Sequence, residues 1–178
     1  MNKDLRLIEP AIEWQENYLS FYQEWVDSGE QMTPWVIEKD PSDFSAMVQY
    51  LENNSKGINI PDGFVPDSTF WLINEQGRVL GAVNIRHALT ELLRNAGGHI
   101  GYGIRPSERQ KGYATQLLRL ALGKAKELGI QHSLVVCDQS NTASMKTILN
   151  NGGVEDEDFV EEDGNVVKRF WVNGGLDD

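Results

Sequence analysis

The most constraining feature of this chain is the stretch from residue 97 to residue 128, GGHIGYGIRPSERQKGYATQLLRLALGKAKEL, which reads as a strand, a tight turn and a long helix. Over residues 99–104, Ile100, Tyr102 and Ile104 alternate with His99, Gly101 and Gly103. This is the two-residue period of a strand, with one face almost bare of side chains. Such a face is expected to admit another molecule to the backbone. Pro106 disfavours helix at Arg105 and ends the strand. From Ala114, apolar residues at Leu117, Leu118, Ala121, Leu122, Ala125 and Leu128 lay one helical stripe on a sheet, and Gly129 stops the helix.

A helix start exposes backbone N–H groups without partners and the positive end of the macrodipole, which together attract anions. The segment Arg109-Gln110-Lys111-Gly112-Tyr113-Ala114 leads into that start. Gly112 and Ala114 keep the approach clear, and Arg109 and Lys111 add positive charge, so a phosphate-bearing ligand is the natural reading. The commoner phosphate motifs do not fit. No G-x-x-x-x-G-K-[ST] is present, and Gly101-Tyr102-Gly103 fails G-x-G-x-x-G because Pro106 stands at the third glycine.

Length and charge narrow the function further. At 178 residues the chain fits one domain, residues 1–178, with a single core. Sixteen basic against 27 acidic side chains give a net charge of −11, which disfavours nucleic acid as a partner and favours a cationic or amine substrate. No apolar run reaches ~18 residues, and MNKDLRLIEP lacks the apolar core of a signal peptide, so no membrane association and a cytoplasmic location are expected. One cysteine, Cys137, precludes an internal disulfide and a cysteine-based zinc cluster. No metal is expected, and homodimerisation is left open.

The rest of the chain supplies the sheet and its cover. A short strand at 5–8 precedes a helix carrying Ile12, Tyr18, Leu19, Tyr22 and Trp25, whose aromatics are expected to pack on the sheet. A second helix starts at Asp40-Pro41-Ser42-Asp43 and runs over 44–51. Residues 56–67, with Gly57, Pro61, Gly63 and Pro66, read as a loop placed to act as a substrate-side lid. Residues 70–74 and 79–86 form a hairpin through Glu75-Gln76-Gly77, and 87–96 is left ambiguous between a helical turn and an excursion. The apolar run Leu134-Val135-Val136-Cys137 reads as a buried strand parallel to 99–104, reached through the crossover helix. Asn141 then opens a helix over 142–149, and 159–160 with 166–172 form a terminal hairpin in which Trp171 is expected in the core. The acidic residues 155–158 and 161–163 lack the sixth-position glycine of an EF-hand and read as a solvated face.

Arg109-Gln110-Lys111-Gly112-Tyr113-Ala114 resembles the [QR]-x-x-G-x-[GA] signature of the GNAT superfamily of N-acetyltransferases. The order of the flanking elements is that of the family over roughly residues 68–153. The resemblance implies a mixed α/β (α+β) fold: a mostly antiparallel central sheet of about six or seven strands with helices on both faces. It also implies an acyltransferase that moves an acetyl group from acetyl-CoA directly to a primary amine of a small molecule or peptide. Coenzyme A would be bound by Ile104, Arg109, Gln110, Lys111, Gly112, Tyr113, Ala114, Thr115 and Asn141, with the pyrophosphate on the loop amides and the pantetheine arm along strand amides from Tyr102 to Ile104. Many members protonate the departing thiolate with a tyrosine on the helix after Asn141. Here that position holds Ile148, in a pattern similar to the N-x-x-S branch, which leaves Ser144 and Tyr102 as catalytic candidates.

A free alkylamine titrates near ~10.4, so a base or an ordered water must take a proton, and His99, with an ordinary pKa of ~6.5, is the candidate base. A non-catalytic acyl-CoA-binding module is the alternative, favoured by the absent tyrosine. A different α/β nucleotide-binding protein, recognising ATP or NAD, is the third reading.

Overall fold

The computed structural model describes residues 4–174 and arranges seven strands as two antiparallel sheets with four main helices. The first sheet has the order β1 (Arg6–Ile8), β2 (Asp67–Ile73), β3 (Val79–Arg86), β4 (Ile100–Ile104). The second places β7 (Val166–Asn173) between β5 (His132–Asp138) and β6 (Val154–Val160). Along β2, Phe70 and Leu72 pack into one apolar cluster while Trp71 and Ile73 pack into another, because successive strand residues face opposite sides. The first cluster is covered by α3 (Tyr113–Glu127) and α4 (Thr142–Asn150), the second by α1 (Gln15–Ser28) and α2 (Phe44–Ser55). Of the expected stripe on α3, Leu117, Leu118, Ala121, Leu122 and Ala125 are buried, while Leu128 falls at the C-cap and is exposed. The α1 aromatics do pack on the sheet, with Tyr18 stacked on Trp71 at 4.3 Å between ring centres.

Backbone hydrogen bonds join the two sheets where β4 and β5 begin. There the His99 N–H donates to the Leu134 carbonyl at 2.7 Å, and the Leu134 N–H donates to His99 Nδ1 at 2.9 Å. The crossover helix α3 brings β5 back alongside β4, and beyond His99 the strands pair away from each other, β4 with β3 and β5 with β7. What the sequence reads as one sheet is therefore split at this point, which opens a wedge between the C-terminal ends of β4 and β5.

Other differences have local causes. β2 begins at Asp67, three residues before the apolar run, since Asp67, Ser68 and Thr69 pair with Arg86, Ile85 and Asn84; tertiary pairing overrides the weak strand propensity of Asp67. The ambiguous segment contains a π-helical turn, Leu93–Gly97. The acidic residues 155–158 lie within β6, where Asp156 pairs with Arg169 and accepts from Trp171 Nε1 at 2.8 Å, so Trp171 is half-buried at a polar contact instead of in the core. The bare face of β4 admits no foreign molecule at Gly103: a Cβ there would strike the Thr33 carbonyl, because the chain between α1 and α2 lies directly on it. Gly103 is needed for that backbone-on-backbone approach.

Candidate functional site

At the open end of the wedge lies a cleft of about 560 Å³ on the α3/α4 side of the sheet. Its walls are Tyr102, Gly103 and Ile104 from β4, the loop with Arg109, Gln110 and Gly112, the first turn of α3 (Tyr113, Ala114, Thr115), and the α4 residues Asn141, Ser144 and Thr147. Gln110 (φ +61°) and Gly112 (φ +83°) are both left-handed, which turns the loop sharply into the helix. Gly112 caps α3 without a side-chain acceptor, the first helical bond being Gln116 N–H to Gly112 C=O, so the amides at Ala114 and Thr115 have no intrahelical acceptor. A Cβ built on Gly112 would meet nothing within 4 Å, which leaves the space before the helix clear. The far wall is held in place by Asn151, whose Nδ2 donates to Thr115 C=O at 3.2 Å and Thr147 C=O at 2.9 Å and so ties α4 to the start of α3.

Two polar contacts cross or border the wedge. The Asn141 side chain accepts from the Ser144 N–H at 3.0 Å, capping α4. The Tyr102 hydroxyl lies 2.8 Å from Ser144 Oγ, joining β4 to α4 where the strands have parted. Burial pushes the Tyr102 phenol up to about 12, against a smaller downward pull from Ser144. Burial likewise raises the neighbouring Cys137 thiol, which is neutral at neutral pH.

The expected residues separate into two groups. Ile104, Arg109, Gln110, Gly112, Tyr113, Ala114, Thr115, Asn141, Tyr102 and Ser144 all line the cleft. Lys111 and Arg109 are on the loop, but their charges are engaged: Lys111 Nζ bonds Glu108 at 2.8 Å, and Arg109 makes a two-point contact with Glu30 at 3.0 and 2.7 Å while lying over the Trp25 ring. His99 is elsewhere, 7% exposed at the closed end of the wedge. Because its Nδ1 accepts from Leu134, the neutral ring carries its proton on Nε2 and has no free lone pair with which to take another. Burial first, then Arg94 and Arg86, lower its pKa to about 4. That geometry makes it a clasp between sheets and does not support the expected role as base. Ile148 is fully buried in the core.

Sequence reading missed Thr147 as a wall of the cleft. The signal was present, since Asn141, Ser144 and Thr147 recur every third residue, the spacing of one helix face. Glu24 was missed as well. It binds buried Arg105 at 2.6 Å and caps the turn before the loop through the Ser107 N–H, fixing α1 to the end of β4.

The profile described as "Acetyltransferase (GNAT) domain" matches residues 6–154. The chain belongs to the GNAT acetyltransferase family. No curated protein sequence matches this GNAT chain. Among solved structures, mutant forms of the spermidine/spermine N-acetyltransferase SpeG from Vibrio cholerae share 18% identity at a TM-score of 0.65, covering 97% of this chain and 95% of that one. The Microcin C7 self immunity acetyltransferase MccE, solved with acetyl-CoA and AMP, shares 15% identity at a TM-score of 0.67, covering 97% and 93%. A further Vibrio cholerae spermidine N-acetyltransferase structure is dodecameric, with 19% identity, a TM-score of 0.61 and coverage of 96% and 92%. At these identities the likeness shows the fold. Among the described residues no group of three or more His, Cys, Asp or Glu is placed to hold a metal ion, and no helix is long and apolar enough to cross a membrane.

Proposed function

We propose that this acetyltransferase moves the acetyl group of acetyl-CoA directly to a primary amine of a small molecule or peptide within one ternary complex. The observation that carries the reading is the cleft in the wedge, where the uncapped first turn of α3, the β4 edge and Asn141 line one continuous space. The pyrophosphate would lie against the amides from Gln110 to Thr115, with Arg109 and Lys111 released from Glu30 and Glu108 to meet it. The pantetheine amides would bond to the β4 edge and to the free lone pair or amide N–H of Asn141.

The amine lone pair attacks the thioester carbonyl carbon, the C–N bond forms, the C–S bond breaks, and the nitrogen proton passes through solvent to the thiolate. Magnitudes decide the role of Tyr102. With its phenol at about 12 against a thiol near ~8.5, full transfer of the phenolic proton is uphill by more than three orders of magnitude. Tyr102, supported by Ser144, therefore acts as a hydrogen-bond donor to the departing sulfur and keeps its proton. Among the described residues Glu108 is the only carboxylate lining the cleft, and it is paired with Arg78 and Lys111, so solvent takes the first proton from the alkylammonium.

The test is release of coenzyme A thiol from acetyl-CoA across a panel of primary amines, with calorimetric binding of coenzyme A read in parallel. Amine-dependent release is expected. Tight binding with no release to any amine would favour a non-catalytic acyl-CoA-binding module.

A further inference from the structure

The cleft holds one cation that the transfer reaction described above does not use. Among the described residues that line it, Glu108, Arg109 and Lys146 are the charged ones. The first two are already answered, Glu108 by Arg78 and Lys111, and Arg109 by Glu30. Lys146 has neither a hydrogen bond nor an ion pair with any described residue. In a chain with 27 acidic side chains, this ammonium has no carboxylate beside it. It leaves uncompensated positive charge on one wall of the cleft, the condition for drawing in an anion.

Helical spacing fixes where that charge stands. Asn141, Ser144 and Thr147 form the inner face of α4, joined to β4 through the Ser144–Tyr102 contact. Ala143, Lys146 and Asn150 follow one another at intervals of three and four on the adjoining face. All three are exposed and still line the cleft, so they form its outer rim. The next residue, Asn151, bonds the Thr115 carbonyl at 3.2 Å, which sets the end of α4 against the first turn of α3. Lys146 is therefore displaced along α4 from the Tyr102–Ser144 contact toward the helix start at Ala114 and Thr115.

The donor supplies an anion for that position. Coenzyme A carries its pyrophosphate between the pantetheine arm and a ribose, and the ribose bears a separate phosphate monoester. With the arm running inward along β4 and the pyrophosphate on the α3 amides, the ribose leaves through the mouth of the cleft, past the rim. A phosphate monoester holds nearly two negative charges at neutral pH and three acceptor oxygens, and an ammonium offers three donors to it. We propose that Lys146, with the Asn150 amide beside it, forms the subsite for the donor's ribose phosphate and makes this enzyme distinguish coenzyme A from 3′-dephospho-coenzyme A. The inference rests on the acetyl-CoA reading and names a specificity-determining residue within it.

The experiment is calorimetric titration of the full chain with coenzyme A and with 3′-dephospho-coenzyme A, in the wild type, Lys146→Gln, Lys146→Arg and Lys111→Gln. All three variants change exposed side chains, so the fold is retained. The wild type is expected to bind coenzyme A about 5-fold or more tightly than the dephospho form, and the preference should shrink as salt rises. Lys146→Gln should bring the ratio to near one by weakening coenzyme A alone, and Lys146→Arg, which keeps the charge, should retain most of it. Lys111→Gln should weaken both ligands alike and leave the ratio unchanged. Equal binding of the two ligands by the wild type, or a ratio unaltered in Lys146→Gln, overturns the subsite. So does an equal loss for both ligands in Lys146→Gln, which would put the ammonium on the pyrophosphate. Binding of neither ligand by the wild type overturns the acetyl-CoA reading itself, and the subsite falls with it.

Discussion

His99 allows the clearest separation of a structural from a catalytic role. Its ring is held neutral between the sheets, with Nδ1 engaged by the Leu134 N–H and its pKa lowered from an ordinary 6.5 to about 4. Below pH ~6.5 the unfolded chain takes a proton at this residue and the folded chain does not, so the unfolded state gains and stability falls as pH drops from about 6.5 to about 4. At 1.36 kcal/mol per pH unit the loss is about 3 kcal/mol, a sizeable part of the stability of an ordinary domain. His99→Asn retains an acceptor for Leu134 without titrating. It is expected to cost about 1–2 kcal/mol at pH 7.5, through the smaller side chain, and to match or exceed the wild type by pH 4.5. Urea unfolding followed by tryptophan fluorescence at each pH measures this, since differences between the two proteins cancel the titration of the surface carboxylates. A stability gap identical at pH 7.5 and pH 4.5 would refute the buried neutral imidazole. In the same variant, coenzyme A release at pH 7.5 should stay within about threefold of wild type, whereas loss of a true general base costs about 100-fold or more. A fall of that size with unchanged acetyl-CoA affinity would restore His99 as the base.

Gly112→Asp places a carboxylate before the first turn of α3, in open space but at φ +83°, and is expected to weaken coenzyme A binding about 10-fold or more in calorimetry while the far-ultraviolet circular dichroism is retained. Unchanged affinity would mean that the loop is not the phosphate site. Tyr102→Phe removes the donor to the departing sulfur, and kcat should drop about 10- to 100-fold with the dissociation constant of acetyl-CoA unaltered; a kcat within twofold of wild type would count against the donor role. Gly103→Ala drives a Cβ into the Thr33 carbonyl, and an overpacking cost of about 1–3 kcal/mol should lower the melting temperature by roughly 5 °C in calorimetric scans. A melting temperature equal to wild type would show that the 30–34 segment yields freely.

Local patterns in the sequence sufficed for whatever depends on near neighbours along the chain. The α3 stripe, the Asn141 cap, the β3 bounds and the glycine-capped loop all follow from periodicity and helix-end chemistry, in which each residue answers to others within about four positions. The cleft walls were legible for the same reason, since Ile104, the loop from Arg109 to Gly112 and the stripe beginning at Asn141 and Ser144 are the ends of those elements. Tertiary structure decided everything that depends on which ends meet. Asp67 is strand because Arg86 is waiting to pair with it, and Ser68 and Thr69 continue the pairing with Ile85 and Asn84. Gly103 looked open and is occupied, because a segment 70 residues earlier in the chain lies on it. His99 has the pKa of a base in isolation, but one hydrogen bond from a residue 35 positions away uses its lone pair and makes it a clasp. The same long-range pairing splits the sheet at His99 and Leu134, and the wedge that results is the space in which the acetyltransferase chemistry can be housed.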